Sequence, residues 1–134
     1  MSWLVPQPHT QEQDDYAAGL YARLTECAVL RRVEVASEGW TPQANECHAN
    51  VTEWCTRYPE YEIVRGWLYF DFGGVLGRVQ FLAHSAVRAP DGLLYDITPS
   101  QASQEYPFLT ANLSEDDFAA LVQGGTTRLW HTPT

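Results

Sequence analysis

The sequence contains no lysine, one methionine and three cysteines, and charged residues fill only 19% of its 134 positions. Each shortage excludes something. Eight arginines stand against seventeen acidic residues, a formal net charge of −9, so the counterion release that drives phosphate-backbone binding has the wrong sign over most of the surface. Neither nucleic acid nor a membrane is expected as a partner. An odd number of cysteines, too few for a disulfide scaffold, fits a reducing compartment and leaves Cys27, Cys47 and Cys55 free for other work. No run approaches the roughly 18 consecutive apolar residues of a membrane span, and the opening MSWLVP has neither the basic end nor the apolar length of a secretion signal. A cytoplasmic protein is the expectation. Low charge leaves room for a core: hydrophobic residues make up 45% and aromatics 13%, and the length suits one domain spanning 1–134.

Periodicity supplies the elements. Thr10 with Gln13 fits a capping box, and Tyr16, Leu20, Leu24, Cys27 and Ala28 recur at helical spacing, predicting a helix over about 11–29. Residues 33–36 read as a short strand. Cys47, Val51, Trp54, Cys55 and Tyr58 lie on one face of a second helix that Pro59 stops. Its start has two readings. With Asn45 as N-cap, Cys47 sits at the second helical position; with a start at Thr41-Pro42 it lies in the second turn, beyond the reach of the helix dipole. Residues 61–72 alternate too regularly for a helix and predict a strand with a kink at Gly66, a loop covers 73–77, and a second long strand runs from 78 to 89. Pro90, Asp91 and Gly92 then make a three-residue hairpin loop into a strand over 93–98. Ser114 caps a last helix whose first turn is acidic and which Gly124 and Gly125 end, and residues 127–131 form an edge strand or a tail.

Three residues form the informative constellation. A thiol reacts as thiolate, and free amides at a helix N-terminus lower its pKa, which singles out Cys47. In the hairpin register Ala89 faces Leu93, Ala86 faces Asp96 and His84 faces Thr98, so His84 and Asp96 are diagonal neighbours on one sheet face. A carboxylate there orients the imidazole and raises its basicity. The opposite face of that strand carries Val79, Phe81, Ala83 and Val87 and is the core face. Other sites fail on distance or context. Cys47 and Cys55 are eight residues apart, about 12 Å of helical rise, too far for a disulfide or a shared zinc. The glycines of 73–77 make only a weak match to a phosphate loop, because neither a helix start nor a lysine follows them.

The stretches NECHANV (45–51), AHSAV (83–87) and DGLLYDITP (91–99) together resemble the transglutaminase-like branch of the papain-like thiol enzymes, over about two-fifths of the chain. The resemblance implies an α+β fold with the Cys-bearing helix packed on a twisted antiparallel sheet. It implies Cys47 as nucleophile, His84 as base and then acid, and Asp96 as orienting carboxylate. The oxyanion site falls to the backbone amide of Cys47 with Gln43 or Asn45 as second donor, while His48 lines the site and Trp67 borders the cleft. No metal or cofactor is called for. The expected activity is cysteine-dependent acyl transfer on an amide, as peptidase, deamidase or transglutaminase-like amidohydrolase, with a peptide, a protein or a small amide as substrate. The alternative is an inactive domain of the same fold that binds a protein partner.

Overall fold

The computed structural model describes residues 9–100 and 106–133. Helix α1 (Gln11–Ala22) opens on the expected capping box, with Thr10 and Gln13 each accepting from the other's backbone amide. It ends earlier than its apolar spacing predicts. A 3-10 turn at Leu24–Glu26 breaks the period and hands the chain to two very short strands, β1 (Ala28–Val29) and β2 (Arg31–Arg32). Residues 33–36 form no strand. Helix α2 spans Cys47–Arg57 and stops before Pro59, and strand β3 covers Glu62–Asp71. A single helical turn, α3 (Gly73–Leu76), replaces the expected loop and leads into β4 (Val79–Arg88). After the hairpin come β5 (Leu94–Asp96), β6 (Pro107–Thr110), helix α4 (Glu115–Gln123), which Ser114 caps, and β7 (Arg128–His131). The fold is α+β.

The strands make one sheet in the order β1-β6-β3-β4-β5-β2, with β7 also on β4. It is mixed rather than wholly antiparallel, because β2 pairs with β5 in parallel while every other pair is antiparallel. The two ends of this path, β1 and β2, are separated in sequence by Leu30 alone, so the sheet curls almost to closure. Leu30 therefore points into the curl, where it is buried with Val64, Ala86, Leu94 and Phe108. The outer face carries the larger core. There Trp67, Phe81, Ala83, Leu109 and Leu129 pack against Ala17 and Leu20 of α1 and Phe118 of α4, and Val51 and Trp54 of α2 cover Val87 and Ile97. Helices line the outside and a smaller apolar core fills the inside.

The β4 strand positions the site. One edge pairs with β3 along its whole length, Glu62 opposite Arg88 through Asp71 opposite Val79. The other edge is shared: β5 takes Val87 and Arg88, and β7 takes residues 79–82. Residues 84–86 lie in the gap between them. On the β3 side, Gly66 stands opposite His84. A Cβ there would lie 2.3 Å from the Leu109 carbonyl oxygen and 2.6 Å from the Phe108 ring, so this glycine admits a close approach of β6. No helix among the described residues is long and apolar enough to cross a membrane.

Candidate active site

Helix α2 begins at Cys47 itself. Glu46 is the N-cap, with φ −116° and ψ 40° and no side-chain capping bond, while Asn45 sits outside the helix in the left-handed region at φ 65°. Neither start read from the sequence is the observed one, since Asn45 is already committed to the turn that feeds the helix. The thiol is thus on the first helical residue, where the dipole acts most strongly. Asn50, buried on the next turn, holds this entrance in place. Its side chain accepts from the Gln43 amide at 3.0 Å and donates to the Gln43 carbonyl at 2.8 Å and to Thr98 Oγ1 at 3.0 Å. One amide thereby ties the segment before Cys47 to the segment after Asp96.

His84 and Asp96 meet inside the curl. The hairpin register is the expected one, with Ala89 N donating to the Leu93 carbonyl and Tyr95 opposite Val87. His84 Nε2 lies 3.2 Å from Asp96 Oδ1, both side chains being about nine-tenths buried. Nε2 has no aligned hydrogen-bond partner, so the contact acts chiefly as a charge pair. Asp96 is held in turn: the Thr98 amide donates to Oδ1 at 3.1 Å, and Arg32 Nη2 lies 3.8 Å from Oδ2. With Nε2 turned to the carboxylate, Nδ1 is the nitrogen left for the thiol.

Electrostatics favour the charged forms of both partners. Burial pushes the Cys47 thiol up, but its contacts with His48 and His84 outweigh this and bring it down to about 6. For His84 burial favours the neutral ring, and the contacts with Asp96 and then with Cys47 raise it to about 9. Between those values a thiolate faces an imidazolium. Cys27 and Cys55 behave oppositely, each pushed up first by burial. Cys27 lies beyond α1, at the end of the 3-10 turn, packed against the outer core, and Cys55 sits beside Val51 and Trp54; all three thiols are free.

His48 belongs to a second network. Its Nδ1 lies 2.6 Å from Ser85 Oγ, and Arg65 Nη1 donates to the same oxygen at 2.9 Å. A guanidinium only donates, so Ser85 Oγ accepts from Arg65 and joins it to the His48 ring. Arg65 also donates to the His48 carbonyl and to Thr52 Oγ1 and pairs with Glu115, pinning the first turn of α2 to β3 and α4. A cavity of about 460 Å³ between α2 and α4 is lined by His48, Arg65 and Phe118 but not by Cys47 or His84.

The expected site residues divide accordingly. Cys47, His84, Asp96 and Asn45 line one cleft of about 700 Å³, together with Arg32, Thr98 and Arg128. Gln43 does not join them; it is exposed, and its side-chain amide donates to the Thr41 carbonyl at 3.2 Å. Trp67 is no cleft residue either. It is fully buried on the outer face, with Nε1 donating to Tyr16 Oη at 2.9 Å, because odd-numbered positions of β3 face the helices. Asn50 and Ser85 were not singled out from the sequence. An asparagine beside an apolar helix stripe, and a serine on the core face of β4, are the signals that mark them. Among the described residues no group of three or more His, Cys, Asp or Glu side chains is arranged to hold a metal ion. Compared with family models, with curated proteins and with solved structures, the chain matches none.

Proposed function

We propose that this chain is a thiol acyl-transfer enzyme acting on an amide, of the transglutaminase-like, papain-like kind. One observation carries the reading: a thiol on the first residue of a helix, an imidazole beside it and a carboxylate behind the imidazole converge on a single cleft. In the mechanism, the Cys47 thiolate adds to the amide carbonyl, and the Cys47 backbone amide, at the uncapped helix start, faces the developing oxyanion. The imidazolium of His84 gives its proton to the leaving nitrogen, the C–N bond breaks and a thioester remains. Neutral His84 then takes a proton from water or an amine as it attacks, and the acyl group leaves the sulfur as acid or new amide. Asp96 orients the ring and supports its charge.

An amide-bearing vinyl sulfone tests this. It should label Cys47 and spare Cys27 and Cys55 on peptide mapping of the folded protein. His84→Ala should slow labelling by about 100-fold, in the range general acid–base groups contribute. Labelling of Cys55 with Cys47 untouched would falsify the proposal.

A further inference from the structure

Two of the eight arginines of this acidic chain line the cleft that holds Cys47. Their situations differ. Arg32, on β2, lies beside the Asp96 carboxylate, and its charge is matched there. Arg128, on β7, is exposed and, among the described residues, has no hydrogen-bond or ion-pair partner. No acidic side chain among the described residues comes to it.

Its place in the sheet makes the lone charge informative. Arg128 stands directly opposite Leu82 in the β4–β7 ladder, so its side chain leaves from the same face as those of Leu82 and His84. His84, two residues further on, is its diagonal neighbour, at roughly 7 Å between Cα atoms. Asp96 has the mirror relation to His84 from β5, as the pairing of Val87 with Tyr95 requires. The imidazole is therefore flanked by a carboxylate on one side and an unneutralised guanidinium on the other. The same cleft also carries an apolar lining from Leu82, Leu68 and the rings of Phe70 and Tyr106, whose centroids lie 4.3 Å apart.

Resting on the acyl-transfer reading, we infer that the substrate of this site carries a carboxylate that seats on Arg128, joined to the scissile amide by an apolar stem. A guanidinium fork suits a planar carboxylate. One unpaired cation matches one negative charge, whereas a phosphate dianion would want a second, and Arg32 is already matched to Asp96.

Alkylation rates at Cys47 test the inference without a known substrate, using iodoacetate as the carboxylate probe and iodoacetamide as its neutral isostere. Both are measured on the full chain near pH 7.5 by peptide mapping, with Cys27 and Cys55 as internal references. The iodoacetate-to-iodoacetamide rate ratio should be higher at Cys47 than at the other two thiols. Arg128→Gln should lower that ratio about fivefold, the size of one partly screened charge at this range, and leave the iodoacetamide rate within twofold. The unchanged iodoacetamide rate also reports that the variant is folded. Arg128→Lys should keep most of the ratio, and Arg31→Gln, at an exposed arginine outside the cleft, should keep all of it. A ratio unmoved by Arg128→Gln, or moved equally by Arg31→Gln, overturns the carboxylate seat while leaving the thiolate intact. Iodoacetamide reacting no faster at Cys47 than at Cys55 removes the thiolate itself, and the seat falls with it.

Discussion

Cys47 and His84 titrate as a pair, so the limbs of any activity profile belong to both together. The reactive form needs Cys47 deprotonated, which holds above about 6, and His84 protonated, which holds below about 9. Alkylation of Cys47 by iodoacetamide should therefore rise with a midpoint near 6, and turnover should follow a bell that falls off near 9. His84→Ala should shift the alkylation midpoint upwards, because one of the two imidazoles that favour the thiolate is gone while His48 remains. Asp96→Asn acts on the other limb. The carboxylate raises His84, so its loss lets the imidazolium deprotonate at lower pH and narrows the bell from the alkaline side, with the rate reduced but not abolished. A midpoint for Cys47 that ignores His84 would dissolve the pair. Ser85 offers a separate test through stability. Its fully buried hydroxyl serves both His48 and Arg65, and Ser85→Ala leaves His48 Nδ1 without its partner and removes one of the several that Arg65 has. Urea denaturation should show a loss of about 1–3 kcal/mol, the usual cost of a buried group left unsatisfied.

At the level of elements, β4 is where local sequence and final geometry agree best. Its alternation separates core positions from His84, and the Pro90–Gly92 turn, with Gly92 at φ 86°, sets the register that places Asp96 beside the imidazole. Such contacts are short-range, and turn chemistry and period-two patterning encode them. Other features depend on remote partners. Strands β1, β2 and β6 have two to four residues each and acquire their ladder only when the sheet curls, so nothing within 28–32 or 107–110 announces them. The start of α2 is hidden in the sequence for a similar reason: the cap is Glu46, whose side chain makes no capping bond, and what fixes the entrance is Asn50 reaching back to Gln43. Trp67 lies in the outer core and not at the cleft, a difference that an aromatic strand does not mark, since nothing in it shows which face becomes the outer one. Gly66, by contrast, is legible as an irregular position, but the β3–β4 ladder runs through it unbroken and what the glycine admits is the close approach of β6. Gly66→Ala should clash with the Leu109 carbonyl and the Phe108 ring, costing about 1–3 kcal/mol by overpacking. Because Gly66 faces His84 and Phe108 packs edge-on to that ring at 6.3 Å, the same change should also lower the reactivity of Cys47. A variant as stable as the parent in a thermal melt would show that β6 yields at no cost.

For the molecule as a whole, the curled sheet separates stability from chemistry by its two faces. The outer face buries Trp67, Phe81, Leu109 and Leu129 beneath α1 and α4, while the inner face gives up part of its apolar surface to His84, Asp96 and the cleft. Helix α2 joins the two, packing Val51 and Trp54 on the outside while its first residue reaches the gap that β5 and β7 leave on β4. Substitutions on the two faces should therefore fail in different assays. Trp67 sits at the centre of the outer core, and its Nε1 donates to Tyr16 Oη, which donates onward to the Ala111 carbonyl at 2.7 Å. Trp67→Phe removes that donor and part of a ring, and should cost about 1–3 kcal/mol in urea denaturation. Below the unfolding transition it should leave the iodoacetamide midpoint of Cys47 where it was. His84→Ala should do the reverse, moving the midpoint with a smaller change in stability, since it takes a costly buried charge out of the inner face along with its partner contacts. If Trp67→Phe displaces the Cys47 midpoint as far as His84→Ala does, the faces are coupled through β3 and β4, and the sheet cannot be treated as a rigid wall between core and cleft.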